Sequence, residues 1–184
     1  MGSLVRRSIS AFSVAAVLVA VLVGPAGAAT PPVAAALSAP HAGPAVLVAT
    51  INGGGTATME DGNGSSVFGM GVKLFSDGSA AGQFDCVDQH GDAAGYPGNI
   101  WGQVTSWSFD EHGFIVLNIV GKFHPIPGGR GLLLRDLPFA VTIQQFGGAG
   151  VGHWTLAGPF GASGEWIAVC FEILTSGQVV LRVA

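Results

Sequence analysis

Residues able to do chemistry are few in this chain, and they are scattered. Asp85, Asp88, His90 and Asp92 form the one local cluster of oxygen and nitrogen donors. Carboxylates leaving a strand end could hold Ca²⁺, which takes about six to eight oxygen ligands. The cluster has neither the loop glycine nor the terminal Glu of an EF-hand, so a solvated loop is the favoured reading and no metal site is assigned. Gly161-Ala162-Ser163-Gly164-Glu165 approaches the nucleophile-elbow spacing, but Glu165 stands where the final glycine belongs. Gly147, Gly148, Gly150 and Gly152 miss the dinucleotide fingerprint because His153 takes its last position. Asp110 and Glu111 are adjacent, so they point apart and read as turn formers rather than as the spaced carboxylates of a glycosidase. The five histidines show no zinc spacing. With no nucleophile, acid/base pair or metal constellation in a plausible setting, the balance favours a non-enzymatic protein, with no catalytic residue assigned and no cofactor implied.

The aromatic residues offer binding rather than catalysis. Trp101 and Trp107 share strand parity with Phe109, and Trp154 and Trp166 fall on later strands. Trp101, Trp107 and Trp154 are therefore the candidate ligand contacts, on a barrel mouth or a sugar-stacking surface, for a small apolar molecule or a carbohydrate. The competing reading is that these tryptophans are core.

The elements that must position these residues begin beyond an export signal. Arg6 and Arg7 precede an apolar run from Ala11 to Val23, then Gly24-Pro25 and the small residues Ala26 to Ala29. This is the order of a cleavable signal peptide over Met1–Ala28. The apolar run is shorter than the roughly 20 residues that span a bilayer, so no stable membrane insertion is expected after cleavage. The expected location is extracellular, secreted or at the cell surface. Removing Arg6 and Arg7 takes the formal net charge from −4 to −6, which disfavours nucleic acid as a partner.

In an oxidising compartment the two cysteines, Cys86 and Cys170, are expected to pair. Closing that loop of about 84 residues would be worth ~4–5 kcal/mol in the chain-entropy view. The alternative is two buried thiols. Strand parity lends that alternative some support: Cys170 falls on the Trp166/Ala168 side, opposite the more uniformly apolar Ile167, Val169, Phe171 and Ile173.

Residues 29–44, rich in Pro and Ala, read as a linker, and one domain spans 45–184. Short runs separated by turn residues make it all-β, with about eight or nine strands in an antiparallel meander. Phe68, Met70, Val72 and Leu74 alternate with Gly69, Gly71 and Lys73, which marks one buried face. Ile115, Leu117, Ile119 and Phe123 share another, as do Phe139, Val141 and Ile143. Asp77-Gly78 is the strongest hairpin signal. Gly53-Gly54-Gly55 suggests a bulge or close backbone approach within one long strand. Closing the meander into a barrel removes exposed edges, so a β-barrel is favoured over a two-sheet sandwich.

Gly53-Gly54-Gly55-Thr56-Ala57, Phe68 to Phe75 with Ser76-Asp77-Gly78, Gly82-Gln83-Phe84-Asp85, and Ser176-Gly177-Gln178-Val179-Val180-Leu181 together resemble the post-COAP domains. These are bacterial secreted all-β domains found alone or as C-terminal modules. The resemblance covers most of Gly53 to Val183 and implies an exported β domain with no assigned activity. Cys86 and Cys170 depart from its pattern, so their pairing rests on compartment and count. The functional expectation is a secreted, non-enzymatic β-barrel module acting by binding or as an extracellular structural accessory. The alternatives are a lipocalin-like carrier of a small apolar ligand, and a hydrolase or isomerase with a site assembled from scattered polar residues.

Overall fold

The computed structural model describes residues 37–60, 62, 64–89, 98–125 and 134–184, and the expected signal peptide, His90 and Asp92 lie outside them. Ten strands form one antiparallel sheet: β1 (Leu47–Met59), β2 (Ser65–Phe75), β3 (Ser79–Asp88), β4 (Gly98–Phe109), β5 (Ile115–Pro125), β6 (Leu134–Gln145), β7 (Gly147–Gly148), β8 (His153–Gly158), β9 (Ile167–Leu174) and β10 (Gln178–Val183). Eight of them, β1 to β6 with β8 and β9, run up and down around a ring that closes where β9 and β2 both pair with β1. The fold is thus the expected barrel. The β2–β3 hairpin turns at Asp77-Gly78, where Gly78 takes φ 85° and its N–H donates to the Phe75 carbonyl. Asp77 accepts from both the N–H and the hydroxyl of Ser79, which holds its carboxyl below the ordinary value.

Alternation decides what enters the lumen. Phe68, Met70, Val72 and Leu74 point inward, as do Ile115, Leu117, Ile119, Phe139, Val141 and Ile143, and all are buried. In the middle of the lumen Trp154 packs against Phe68 and against Phe84, each with ring centroids 5.4 Å apart, and Phe139 adds an edge contact to Phe84 at 6.3 Å. Each such buried aromatic contributes roughly 2–3 kcal/mol through apolar burial.

Two phase expectations are corrected. In β4 the register shifts between Val104 and Ser106, and the extra residue reverses the alternation. Trp107 therefore faces the lumen like Ile100 and Val104, while Trp101 faces outward. In β9 the side chains that enter the barrel are Cys170, Glu172 and Leu174, whereas Phe171 is 42% exposed and Ile167 39%. The more apolar face of that run is its outer one. A register shift between Leu156 and Ala157 leaves Val169 opposite neither, and Val169 and Cys170 are both buried.

The triple glycine lies inside β1, where the strand changes partner. Its first part, Ala49 to Gly54, pairs with β10, and its last, Ala57 to Met59, pairs with β9. Between these two stretches the Thr56 carbonyl accepts from the N–H groups of Thr175 and Ser176, at 2.8 and 3.1 Å. The Thr56 hydroxyl meets those of Thr175 and Ser176 at 2.8 and 2.7 Å. Gly55 has φ 151°, and a Cβ there would run into the Ser176 carbonyl.

The folded region also starts earlier than Ala45. Leu37 is 5% exposed within the hydrophobic core, and the His41 N–H donates to the Ser76 carbonyl at 2.8 Å. The Ser76 hydroxyl donates to the Pro44 carbonyl and accepts from the Val46 N–H, both at 3.1 Å. Residues 37–44 thus form a strap across the barrel end that carries the β2–β3 turn. This strap is invisible to composition because only long-range contacts hold it.

Replacing Gly55 with Ala forces a strained φ and a collision with the Ser176 backbone, so stability should fall by about 3 kcal/mol or more. Gly71→Ala, whose Cβ would meet nothing nearer than the Asn52 Oδ1 at 3.8 Å, should change stability by less than about 0.5 kcal/mol. Urea unfolding of the two variants checks the contrast; equal effects would contradict it.

Candidate functional site

Opposite the strap, the barrel ends in an apolar cavity of about 230 Å³. Its wall comes from strand ends brought together by the up-and-down order. β3 supplies Cys86 and Asp88, β4 Ile100, β5 Phe123, β6 Leu134, β8 Leu156, and β9 Val169 and Cys170. Pro159 and Phe160, in the turn after β8, complete it. Asp88 is the one ionisable side chain in this lining apart from the two thiols. Below the cavity the aromatic cluster fills the lumen, since Phe84 and Trp154 are fully buried.

Cys86 and Cys170 are 1% and 4% exposed, and no disulfide joins them. The expected bridge is corrected: the two cysteines, on β3 and β9, are separate buried thiols. Both thiols instead border the same cavity.

The tryptophans do not converge on it. Trp107 is 2% exposed, and its indole N–H donates to the Phe75 carbonyl at 2.8 Å near the strapped end. Trp154 is core. Trp101 is half-buried on the outer face of β4, directly across from Asp85 on β3 and Lys122 on β5. Asp85 also lies outside the barrel, and partial burial pushes its carboxyl above the ordinary value. Asp85 and Asp88 therefore stand on opposite faces, and among the described residues no three His, Cys, Asp or Glu side chains gather as a metal site.

The partner of His153 and the burial of Glu172 are not legible in the sequence. His153 Nε2 lies 2.9 Å from Glu60 Oε1, a partner brought by the end of β1. Glu172 is 2% exposed and is the one charged residue type among the buried described residues. Only the inward phase of β9 reveals it, and an apolarity count along the run points the other way. Asp110 and Glu111 do lie in a turn: Asp110 Oδ1 accepts from the N–H groups of His112 and Phe114, both at 2.9 Å.

With Cys86 and Cys170 unbridged, alkylation of the unfolded chain without reductant should modify two thiols, and alkylation of the folded chain should modify neither quickly. Mass spectrometry reads both, and a bridged species would contradict the unbridged state of the pair.

Comparison with protein-family models, with curated proteins and with solved structures finds no match to this chain.

Proposed function

We propose that the chain is an exported, non-enzymatic β-barrel module that binds a small, mainly apolar molecule in the cavity opposite the strap. The observation that carries this reading is the cavity: about 230 Å³, apolar-walled, with Asp88 as its ionisable oxygen group. Small-molecule sites are commonly apolar clefts with few polar groups, and they run from about 300 Å³ upward. A dry cavity of about 150 Å³ holds benzene. A volume between these suits a ligand of about ten non-hydrogen atoms. Asp88 would accept a hydrogen bond from a hydroxyl or ammonium at one end of that ligand. The carrier reading thus gains over a purely structural accessory.

Export rests on the basic start, short apolar run and small-residue cleavage site within Met1–Ala28. The resemblance to secreted post-COAP domains agrees with it. Two buried thiols suit the cavity wall as small apolar groups.

Titration with 1-naphthol, 1-octanol and octylamine tests the reading. A bound ligand at a hundredfold excess over its Kd stabilises by about 2.7 kcal/mol, which for a domain of this size raises Tm by roughly 5–10 °C. Val169→Phe, which fills the cavity, should weaken binding at least about tenfold. Asp88→Asn should weaken octylamine more than octanol. Absence of any Tm rise with all three compounds, or undiminished binding to Val169→Phe, would overturn the proposal.

A further inference from the structure

The floor of the cavity carries a polar atom that the protein leaves unmatched. Trp154 is fully buried, and its indole Nε1 has no hydrogen-bond partner among the described residues. Trp107, the other tryptophan in the lumen, shows the usual arrangement, with its indole N–H on the Phe75 carbonyl at 2.8 Å. Buried tryptophans ordinarily find such a partner, and a buried donor left unmade costs more than a made hydrogen bond gains. A partner supplied from outside the chain removes that cost.

Register places this donor beneath the cavity. Leu156 on β8 and Cys170 on β9 pair across the ladder, and both line the cavity. Trp154 and Glu172 pair one step deeper on the same inner face, where they are 0% and 2% exposed. Across the barrel Phe68, Cys86, Ile100 and Phe123 form one inner row, and the last three of these line the cavity. The Trp154 ring packs on Phe68 with centroids 5.4 Å apart, so it closes the lumen at the level of that row. The floor therefore sets an indole N–H beside a carboxyl, in cross-strand positions whose Cβ atoms stand about 4.5–5.5 Å apart.

We infer that the cavity takes an apolar molecule bearing a hydroxyl, bound with the hydroxyl innermost against Trp154 and Glu172. The inference rests on the cavity reading and names the group that the ligand carries. An indole N–H only donates, and a carboxyl accepts whether or not it is protonated. A hydroxyl meets both at once, accepting from Trp154 Nε1 and donating to Glu172. An ether oxygen has no hydrogen for the carboxyl, and an ammonium has no lone pair for the indole N–H. Ile100, Phe123, Leu156 and Val169 in the wall suit an aromatic or aliphatic body. A site built to hydrogen-bond a hydroxyl discriminates against the analogue that lacks it, because buried polar groups then go unpaired.

Equilibrium binding of 1-naphthol and of naphthalene to the full chain, with the indole N–H resonances followed by NMR, tests the inference. 1-Naphthol should bind at least about tenfold tighter than naphthalene. Its complex should show the Trp154 indole N–H downfield of the position it takes with naphthalene. Glu172→Met and Trp154→Phe should each narrow the preference at least about threefold, and Trp101→Ala, on the outer face of β4, should leave it as it is. Should a buried variant fail to fold, the resonance in the parent chain still decides. Naphthalene bound as tightly as 1-naphthol, or one indole position in both complexes, would overturn the inference and leave the cavity reading standing. Binding of neither compound would overturn both.

Discussion

The architecture depends on one strand having two partners on the same side. β1 is the seam of the barrel, and β9 and β10 lie end to end along its one side, both antiparallel to it, with registers that differ by one residue across Thr175 to Gly177. β1 closes the ring through β10 over Ala49 to Gly54 and through β9 over Ala57 to Met59. The change of register is secured by polar atoms, because Thr56 gathers the N–H groups and hydroxyls of Thr175 and Ser176 at one point. Such a cluster satisfies the backbone groups released where the ladder is interrupted, which would otherwise be costly. Apolar burial then fills whatever shape the seam has defined.

What could be read from the sequence was whatever depends on near neighbours. The alternation from Phe68 to Leu74 and from Phe139 to Ile143 states its buried face directly, because the period of a strand is two and nothing interrupts it. The Asp77-Gly78 turn and the triple glycine are likewise local. The errors arose where a single residue alters phase. The shift near Thr105 in β4 has no compositional mark, so Trp107 was grouped with Trp101 although the two face opposite sides. In β9 both faces are largely apolar, and the count of apolar residues therefore could not tell lumen from exterior.

The candidate sites were less legible than the fold, for a related reason. Cavity lining comes from six strands, each contributing one or two ordinary side chains such as Ile100, Phe123 and Leu156. None is unusual in its own segment; only closure of the ring gathers them. The strap is similar, since Leu37 lies in a stretch whose prolines and alanines resemble a linker until the Ser76 contacts are known. Trp101 stands out by residue type, but its neighbours, Asp85 and Lys122, are defined by register.

The strap and the aromatic cluster together have a consequence for traffic. Leu37 is buried in the core that the strap joins, and Trp154, Phe84 and Phe139 leave the middle of the lumen filled. The barrel is accordingly a cup and not a pipe. On the proposed reading, a solute held beside Asp88 would go no farther than the indole of Trp154, so among the described residues entry and release would share one end of the barrel.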